Sequence, residues 1–109
     1  MSRIILTIFL LGSLSAETAC APVSSRVWIS RAELALREAK TAGAEEFARR
    51  AYKGASLYLT KAQEEETYSD FWGAEKFARQ ATKMAVEARK EAELAAKRSN
   101  LQELNTLPS

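Results

Sequence analysis

Few side chains in this 109-residue sequence could take part in covalent or acid–base chemistry. Cys20 is the only cysteine, and the absence of histidine removes the commonest general base and the commonest metal ligand. The carboxylates are scattered over stretches typical of solvated helix faces, and no glycine-rich phosphate-binding loop is present. We therefore predict no catalytic residue, no metal site and no cofactor, which makes an enzyme the least favoured class.

The residues before Cys20 indicate an export signal. Arg3 supplies a cationic start, Ile4 to Leu11 is an unbroken apolar run, and residues 12–19 are mostly small. The apolar run is too short for a transmembrane helix, which needs about 20 residues. We predict a signal peptide over residues 1–19.

Cys20 itself is interpreted as a lipid attachment site. Residues 17–20, Glu-Thr-Ala-Cys, resemble the bacterial lipoprotein signal Leu-(Ala/Ser)-(Gly/Ala)-Cys, in which cleavage precedes the cysteine and its thiol is acylated. Ala19 fits this pattern as the cleavage residue, whereas Glu17 puts a charge where an apolar residue is usual. The alternative is cleavage after Ala16, which would leave an unacylated thiol on an exported protein.

The composition of the remaining chain predicts one small helical domain. Removal of the signal leaves about 90 residues, the size of a single domain. A net charge of +2, from 16 basic and 14 acidic residues, is not the electrostatic footprint of a nucleic-acid-binding protein. Alanine, the best helix former, occupies 20 positions. The expected fold class is therefore all-α.

Two patterns define the helices. Residues 43–55 and 73–85 match at nine of thirteen positions, which indicates a unit of thirty residues, about one helix and its turn. Alanines spaced four and three residues apart give each of three segments a coiled-coil-like alanine seam. The seam consists of Trp28, Ala32, Ala35, Ala39 and Ala42, then Ala44, Ala48, Ala51, Ala55, Tyr58 and Ala62, then Ala74, Ala78, Ala81, Ala85, Ala88, Ala92 and Ala95.

The seam and the turn residues place the domain boundaries. We predict an antiparallel three-helix domain over residues 25–104, with helices near 25–42, 44–66 and 70–100. Gly43 is expected to end the first helix, and Ser69 or Asp70 to cap the third. Residues 20–24 would form a lipid-anchored tether and residues 105–109 a flexible tail.

Residues 32–97 resemble a bacterial envelope family catalogued as a domain of unknown function. The matching residues are the run 39–48, Ala-Lys-Thr-Ala-Gly-Ala-Glu-Glu-Phe-Ala, and the alanine-spaced stretch 74–96. Members of that family are small alanine-rich helical lipoproteins, or periplasmic segments ahead of a peptidoglycan-binding domain of the outer-membrane-protein-A type. The turn at Tyr68-Ser69-Asp70 departs from the family's common Gly-Asp-Tyr. The resemblance implies a helical fold and an envelope location, and it carries no established activity.

Three groups of side chains are candidate contact sites. A basic ridge of lysines seven residues apart, opposite the seam, would face anionic lipid headgroups, lipopolysaccharide phosphates or acidic cell-wall groups, unless it is an ordinary solvated face. An aromatic patch near two helix starts would either bind a partner or cover the end of the core. An acidic run, residues 64–66, would hold a divalent cation or stay solvated. The ridge is Lys76, Lys83, Lys90 and Lys97, and the aromatic patch is Trp28, Phe71 and Trp72.

Together these features predict a non-enzymatic cell-envelope lipoprotein that acts as a structural or accessory scaffold. Its partners would be the membrane, through the lipid on Cys20, and either another envelope protein or peptidoglycan. A homo-oligomer formed through the third helix is also open. Ala21 carries no acidic retention signal, so the expected location is the periplasmic face of the outer membrane. The alternative is an unlipidated helical adaptor or binding module, soluble in the periplasm.

Overall fold

Every regular element in the described part of the chain is a helix. A computed structural model describes the backbone of residues 2–108 and the side chains of residues 20–108. The helices are α1 (Ser2–Thr41), α2 (Ala44–Phe47), α3 (Arg49–Thr67) and α4 (Phe71–Thr106). The all-α prediction is therefore confirmed. The predicted signal peptide, with its cleavage site at Ala19, lies outside the side chains that the structure describes.

The second predicted helix, residues 44–66, is divided in the structure. Ala48 has φ −140° and ψ 47°, which interrupts the helical geometry between α2 and α3. Its N–H still donates to the carbonyl oxygen of Ala44, and its own carbonyl accepts from the N–H of Tyr52. Hydrogen bonding therefore continues across the break. As a result the described part of the chain has four helices, where three were predicted.

The first helix begins well before residue 25. Residues 20–24, predicted as a tether, belong to α1 in the structure, with Pro22 inside the helix. The Ser24 hydroxyl donates to Glu75 of α4 at 2.8 Å, and the hydroxyl of the buried Ser25 donates to the carbonyl oxygen of Pro22 at 3.0 Å. The Ser24 contact holds this segment against α4, and the Ser25 contact lies within α1 itself. The helix therefore extends past the point where the alanine pattern stops.

The alanine seam forms the core of the described helices. The four helices pack against one another, and thirteen alanines are buried together with Ile29 and Leu36. Two of these alanines lie outside α1, α3 and α4, since Ala44 is in α2 and Ala48 lies between α2 and α3. Larger side chains, including Leu59, Phe77 and Met84, are half-buried and cover the edges of the core. Burial of one methyl group contributes only about 0.8 kcal/mol. The high helix propensity of alanine is therefore an essential part of the stability.

α1 and α4 run in the same direction with a constant register. The Ser24 hydroxyl contacts Glu75, and Arg89 donates to Glu38 at 2.7 Å. Both pairs are separated by 51 residues in the sequence. Each residue of α1 that packs beside α4 consequently lies level with the residue of α4 that is 51 positions later in the sequence.

This register defines the two ends of the domain. Cys20 lies level with Phe71, at the end that holds the turn between α3 and α4. At the opposite end Thr41 lies level with Ala92, so residues 93–106 continue beyond α1 for about 21 Å. α4 ends at Thr106 rather than near residue 100. We call residues 93–106 the α4 overhang.

Candidate functional site

Two guanidinium groups lie over the ring of Trp28. The guanidinium carbon of Arg31 lies 4.7 Å from the ring centroid, and that of Arg79, on α4, lies 4.1 Å from it. The half-buried indole also packs against the cluster that contains Ile29 and Ala62. Cation–π contacts of this kind contribute roughly 0.5–2 kcal/mol. In the isolated chain Trp28 therefore covers one end of the core.

Glu75 connects this arrangement to α1 a second time. Its Oε1 accepts from Arg79 Nε at 3.0 Å and from Arg79 Nη2 at 2.6 Å, while its Oε2 accepts from the Ser24 hydroxyl. The hydrogen bonds from Arg79, and next that from Ser24, lower the pKa of the Glu75 carboxyl below its ordinary value. The carboxylate is therefore the favoured form in the folded protein.

The other two members of the aromatic patch differ in exposure. Phe71 is half-buried at the start of α4, whereas the Trp72 side chain is 79% exposed. Trp72 lines a shallow surface groove on α4 together with Lys76, Arg79 and Lys83. Arg79 thus contacts Trp28 and also borders the groove of Trp72, which presents most of its surface to solvent.

All four lysines of the basic ridge are exposed. Among the described side chains, none of them forms an ion pair. Glu93, which the sequence spacing would pair with Lys97, instead lies 3.7 Å from the Nε of Arg89. Four amino groups in one line therefore remain available to an external anion.

The acidic run at the end of α3 is balanced by nearby cations. Lys61 Nζ lies 3.2 Å from Glu65 and 3.6 Å from Glu64, and Arg26 of α1 lies 2.9 Å from Glu66. The hydrogen bond to Glu65, followed by its charge and that of Glu64, raises the pKa of Lys61. No group of three or more ligand-type side chains capable of holding a metal ion occurs in the part of the chain that the structure describes.

An exposed apolar stripe on α1 was missed by the sequence reasoning. Val23, Val27, Ser30 and Leu34 follow one another at steps of four, three and four residues and line a shallow groove. The exposed fractions are 62% for Val23, 44% for Val27 and 50% for Leu34. The sequence contains this apolar spacing, but the buried face of α1 was predicted from the stronger alanine pattern alone. We call these four residues the α1 stripe.

Comparison with known proteins identifies a family. Residues 29–104 match the family described as "Domain of unknown function (DUF4398)", a match that covers most of the chain. No curated protein and no solved structure matches the sequence. Within the described residues, no helix combines the length and apolarity needed to cross a membrane. The chain therefore belongs to the DUF4398 family, as the resemblance of residues 39–48 and 74–96 indicated.

Proposed function

We propose that the chain is a non-enzymatic cell-envelope lipoprotein that serves as a scaffold for another envelope protein or for the cell wall. Acyl groups on Cys20 would attach it to the periplasmic face of the outer membrane. Its domain would act as a self-contained antiparallel three-helix unit, with α2 and α3 together as the middle helix. Of the two kinds of partner, we favour a protein.

The position of Cys20 supports an anchor at one end of the domain. Cys20 is exposed on α1 and lies level with the turn between α3 and α4. An acyl chain there would hold this end at the bilayer, and the rest of α1 extends from that anchored end. A single short lipid gives only marginal membrane binding, and stable attachment takes more than one chain or a second contact.

The observation that carries the scaffold role is the α1 stripe. Steps of four and three residues are those of a coiled-coil seam, so the stripe suits the apolar face of a partner helix. A carbohydrate polymer would leave Val23, Val27 and Leu34 without an apolar surface to contact, and the stripe therefore favours a protein over peptidoglycan. Its small area predicts modest affinity. Attachment of both proteins to one membrane would compensate by raising their effective concentration.

The anchor is tested by the intact mass of the mature protein from its native host and by its partition between membrane and soluble fractions. We expect a chain that begins at Cys20, carries the added mass of acyl groups and sediments with membranes. Cys20→Ser should abolish the added mass and release the protein. An unacylated chain that begins at Glu17 and is found in the soluble fraction would instead support the unlipidated periplasmic adaptor.

The scaffold role is tested by a photo-crosslinking amino acid placed at the centre of the α1 stripe, at Ser30. We expect an adduct of defined mass from position 30 and none from the matched exposed position Lys53 on α3. Val27→Asp combined with Leu34→Asp should remove that adduct without changing the helical circular dichroism. Equal crosslinking from positions 30 and 53 would contradict the proposed role of the α1 stripe.

A further inference from the structure

One face of α4 places cations and large apolar side chains side by side. At about 100° per residue, the four ridge lysines and four exposed apolar residues lie within about 40° of one line along the helix. The exposed fractions are 79% for Trp72, 53% for Leu94, 60% for Leu101 and 64% for Leu104. We call this surface the outer α4 face. It lies opposite the buried alanines of the same helix.

The outer α4 face is positively charged. Its lysines are about 10.5 Å apart, one for every two turns, and none pairs with a carboxylate among the described side chains. Glu75 and Glu93, at the margin nearer α1, are engaged by Arg79 and Arg89. Glu87 is an exposed acidic residue at the other margin. The face therefore complements an extended anionic surface.

The outer α4 face begins at the same end of the domain as the predicted lipid. Trp72 is one residue beyond Phe71, with which Cys20 is level. Because α1 and α4 run in the same direction, the basic ridge leads away from the anchor point. A domain that lies along the membrane holding Cys20 would bring the whole face within reach of that membrane.

We infer that the outer α4 face is a second membrane contact that lies lengthwise on anionic phospholipid. Tryptophan and leucine side chains would enter the headgroup region, where tryptophan is favoured, and the lysines would meet lipid phosphates. A cell-wall polymer would satisfy the charges but not the four apolar side chains. The contact with lipid does not require acylation, although its role as a second attachment rests on the proposed anchor at Cys20.

The test uses the full chain with Cys20→Ser, so that no acyl group contributes. Binding is measured by sedimentation with vesicles of phosphatidylcholine alone and with vesicles that also contain phosphatidylglycerol. We expect tighter binding to the anionic vesicles, with a strong dependence on salt. Lys83→Glu combined with Lys90→Glu should reduce the anionic preference by at least about 30-fold, because loss of each lysine removes about 1 kcal/mol of attraction and each glutamate adds repulsion.

The matched control is Arg50→Glu combined with Lys53→Glu, which changes the net charge equally on the exposed surface of α3. It should retain most of the anionic preference, and circular dichroism checks that both double variants fold. Tryptophan fluorescence should shift to the blue on the anionic vesicles, and Trp72→Phe should remove the shift. The phosphatidylcholine arm measures any binding through the apolar segment at residues 4–11.

Three results would overturn the inference. Equal losses in the two charge-reversal variants would mean that net charge alone attracts the protein. Ridge-dependent binding to purified cell-wall sacculi but not to vesicles would assign the face to the cell wall. A dimer in solution that Leu101→Asp dissociates, with no vesicle binding, would assign it to a second copy of the chain. Because Cys20 is absent throughout, failure here is distinguishable from failure of the anchor.

Discussion

At the Cys20 end, contacts between α1 and α4 converge on Arg79. Its guanidinium lies over the Trp28 ring, donates to Glu75, and borders the groove lined by Trp72. Exposed ion pairs between residues four apart on a helix contribute only a few tenths of a kcal/mol. Here the same guanidinium also contacts the other helix through Trp28. The main effect of the Arg79 guanidinium is therefore to fix the relative position of α1 and α4 at the Cys20 end.

The Glu75 contacts predict an acid-dependent loss of stability. Since the pKa of Glu75 is lowered by folding, its contribution is present above the ordinary value of 4.5 and is lost as the pH falls through the lower folded value. Glu75→Gln should therefore be less stable than the wild type at neutral pH, and the difference should narrow below pH 4.5. Thermal unfolding at several pH values measures this. A difference that is independent of pH, or is matched by the exposed control Glu46→Gln, would contradict it.

At Gly43 the backbone conformation determines which residue type the position accepts. It has φ +90° and ψ 21° in the turn between α1 and α2, and a Cβ there would lie 3.1 Å from Cδ2 of Phe47. Left-handed geometry costs other residues roughly 1–2 kcal/mol. Gly43→Ala should lower the free energy of unfolding by about that amount in denaturant titration. Gly43→Asn should lower the free energy of unfolding by less, since asparagine tolerates this region of backbone conformation. Equal losses in the two variants would instead indicate that the contact with Phe47 causes the destabilisation.

At the scale of elements, the sequence repeat does not repeat one structural role. Gly43 and Gly73 occupy equivalent positions in the repeat, yet Gly43 lies in the turn that follows α1 whereas Gly73 lies in the first turn of α4. The Gly73 N–H donates to the Asp70 carboxylate at 3.0 Å, and the lack of a Cβ leaves room for that cap. The predicted cap at Asp70 is confirmed, as is the helix end at Gly43.

Most seam alanines were predictable because burial follows largely from spacing, although Ala42, Ala51 and Ala95 are only half-buried. Ala78, Ala81 and Ala85, for example, are fully buried as the pattern requires. The break at Ala48 was not predictable, since alanine favours helix and neither glycine nor proline marks the position. The helical structure of residues 20–24 was not predicted, because proline is normally unfavourable inside a helix, whereas Pro22 lies inside α1. The exposure of Trp72 depends on which helix faces the other helices leave uncovered. The residues near Trp72 in the sequence do not determine this.

Close packing at the seam predicts that its alanines cannot be enlarged. Ala81 is fully buried in α4, whereas Ala96 is exposed further along the same helix. Ala81→Leu should therefore destabilise the protein by about 1–3 kcal/mol, because the added carbons force the helices apart. Ala96→Leu makes the same chemical change at an exposed site and should alter stability by less than about 0.5 kcal/mol. If both variants unfold at the wild-type denaturant concentration, the seam is not closely packed.

At the scale of the whole molecule, the domain has a packed portion and an extended one. Up to Ala92, α4 contributes a buried alanine at each step of the seam. Beyond that residue its side chains are exposed, apart from the half-buried Ala95. The two candidate contact surfaces are also separate, since the α1 stripe and the outer α4 face each point away from the shared core. One molecule could therefore contact a membrane and a partner helix at once.

The uneven packing along α4 predicts a gradient of amide hydrogen exchange in the isolated protein. Amides of residues 81–92 should be protected nearly to the level set by global unfolding, because their helix is covered by α1 and α3. Amides of the α4 overhang should exchange orders of magnitude faster, since a helix of this length without tertiary contacts is marginal in water. Exchange measured by mass spectrometry compares the two segments of one helix directly. Equal protection of the two segments, together with a dimeric mass in light scattering, would mean that a second copy of the chain covers Leu101 and Leu104. Equal protection in a monomer would mean that the α4 overhang is stable without packing.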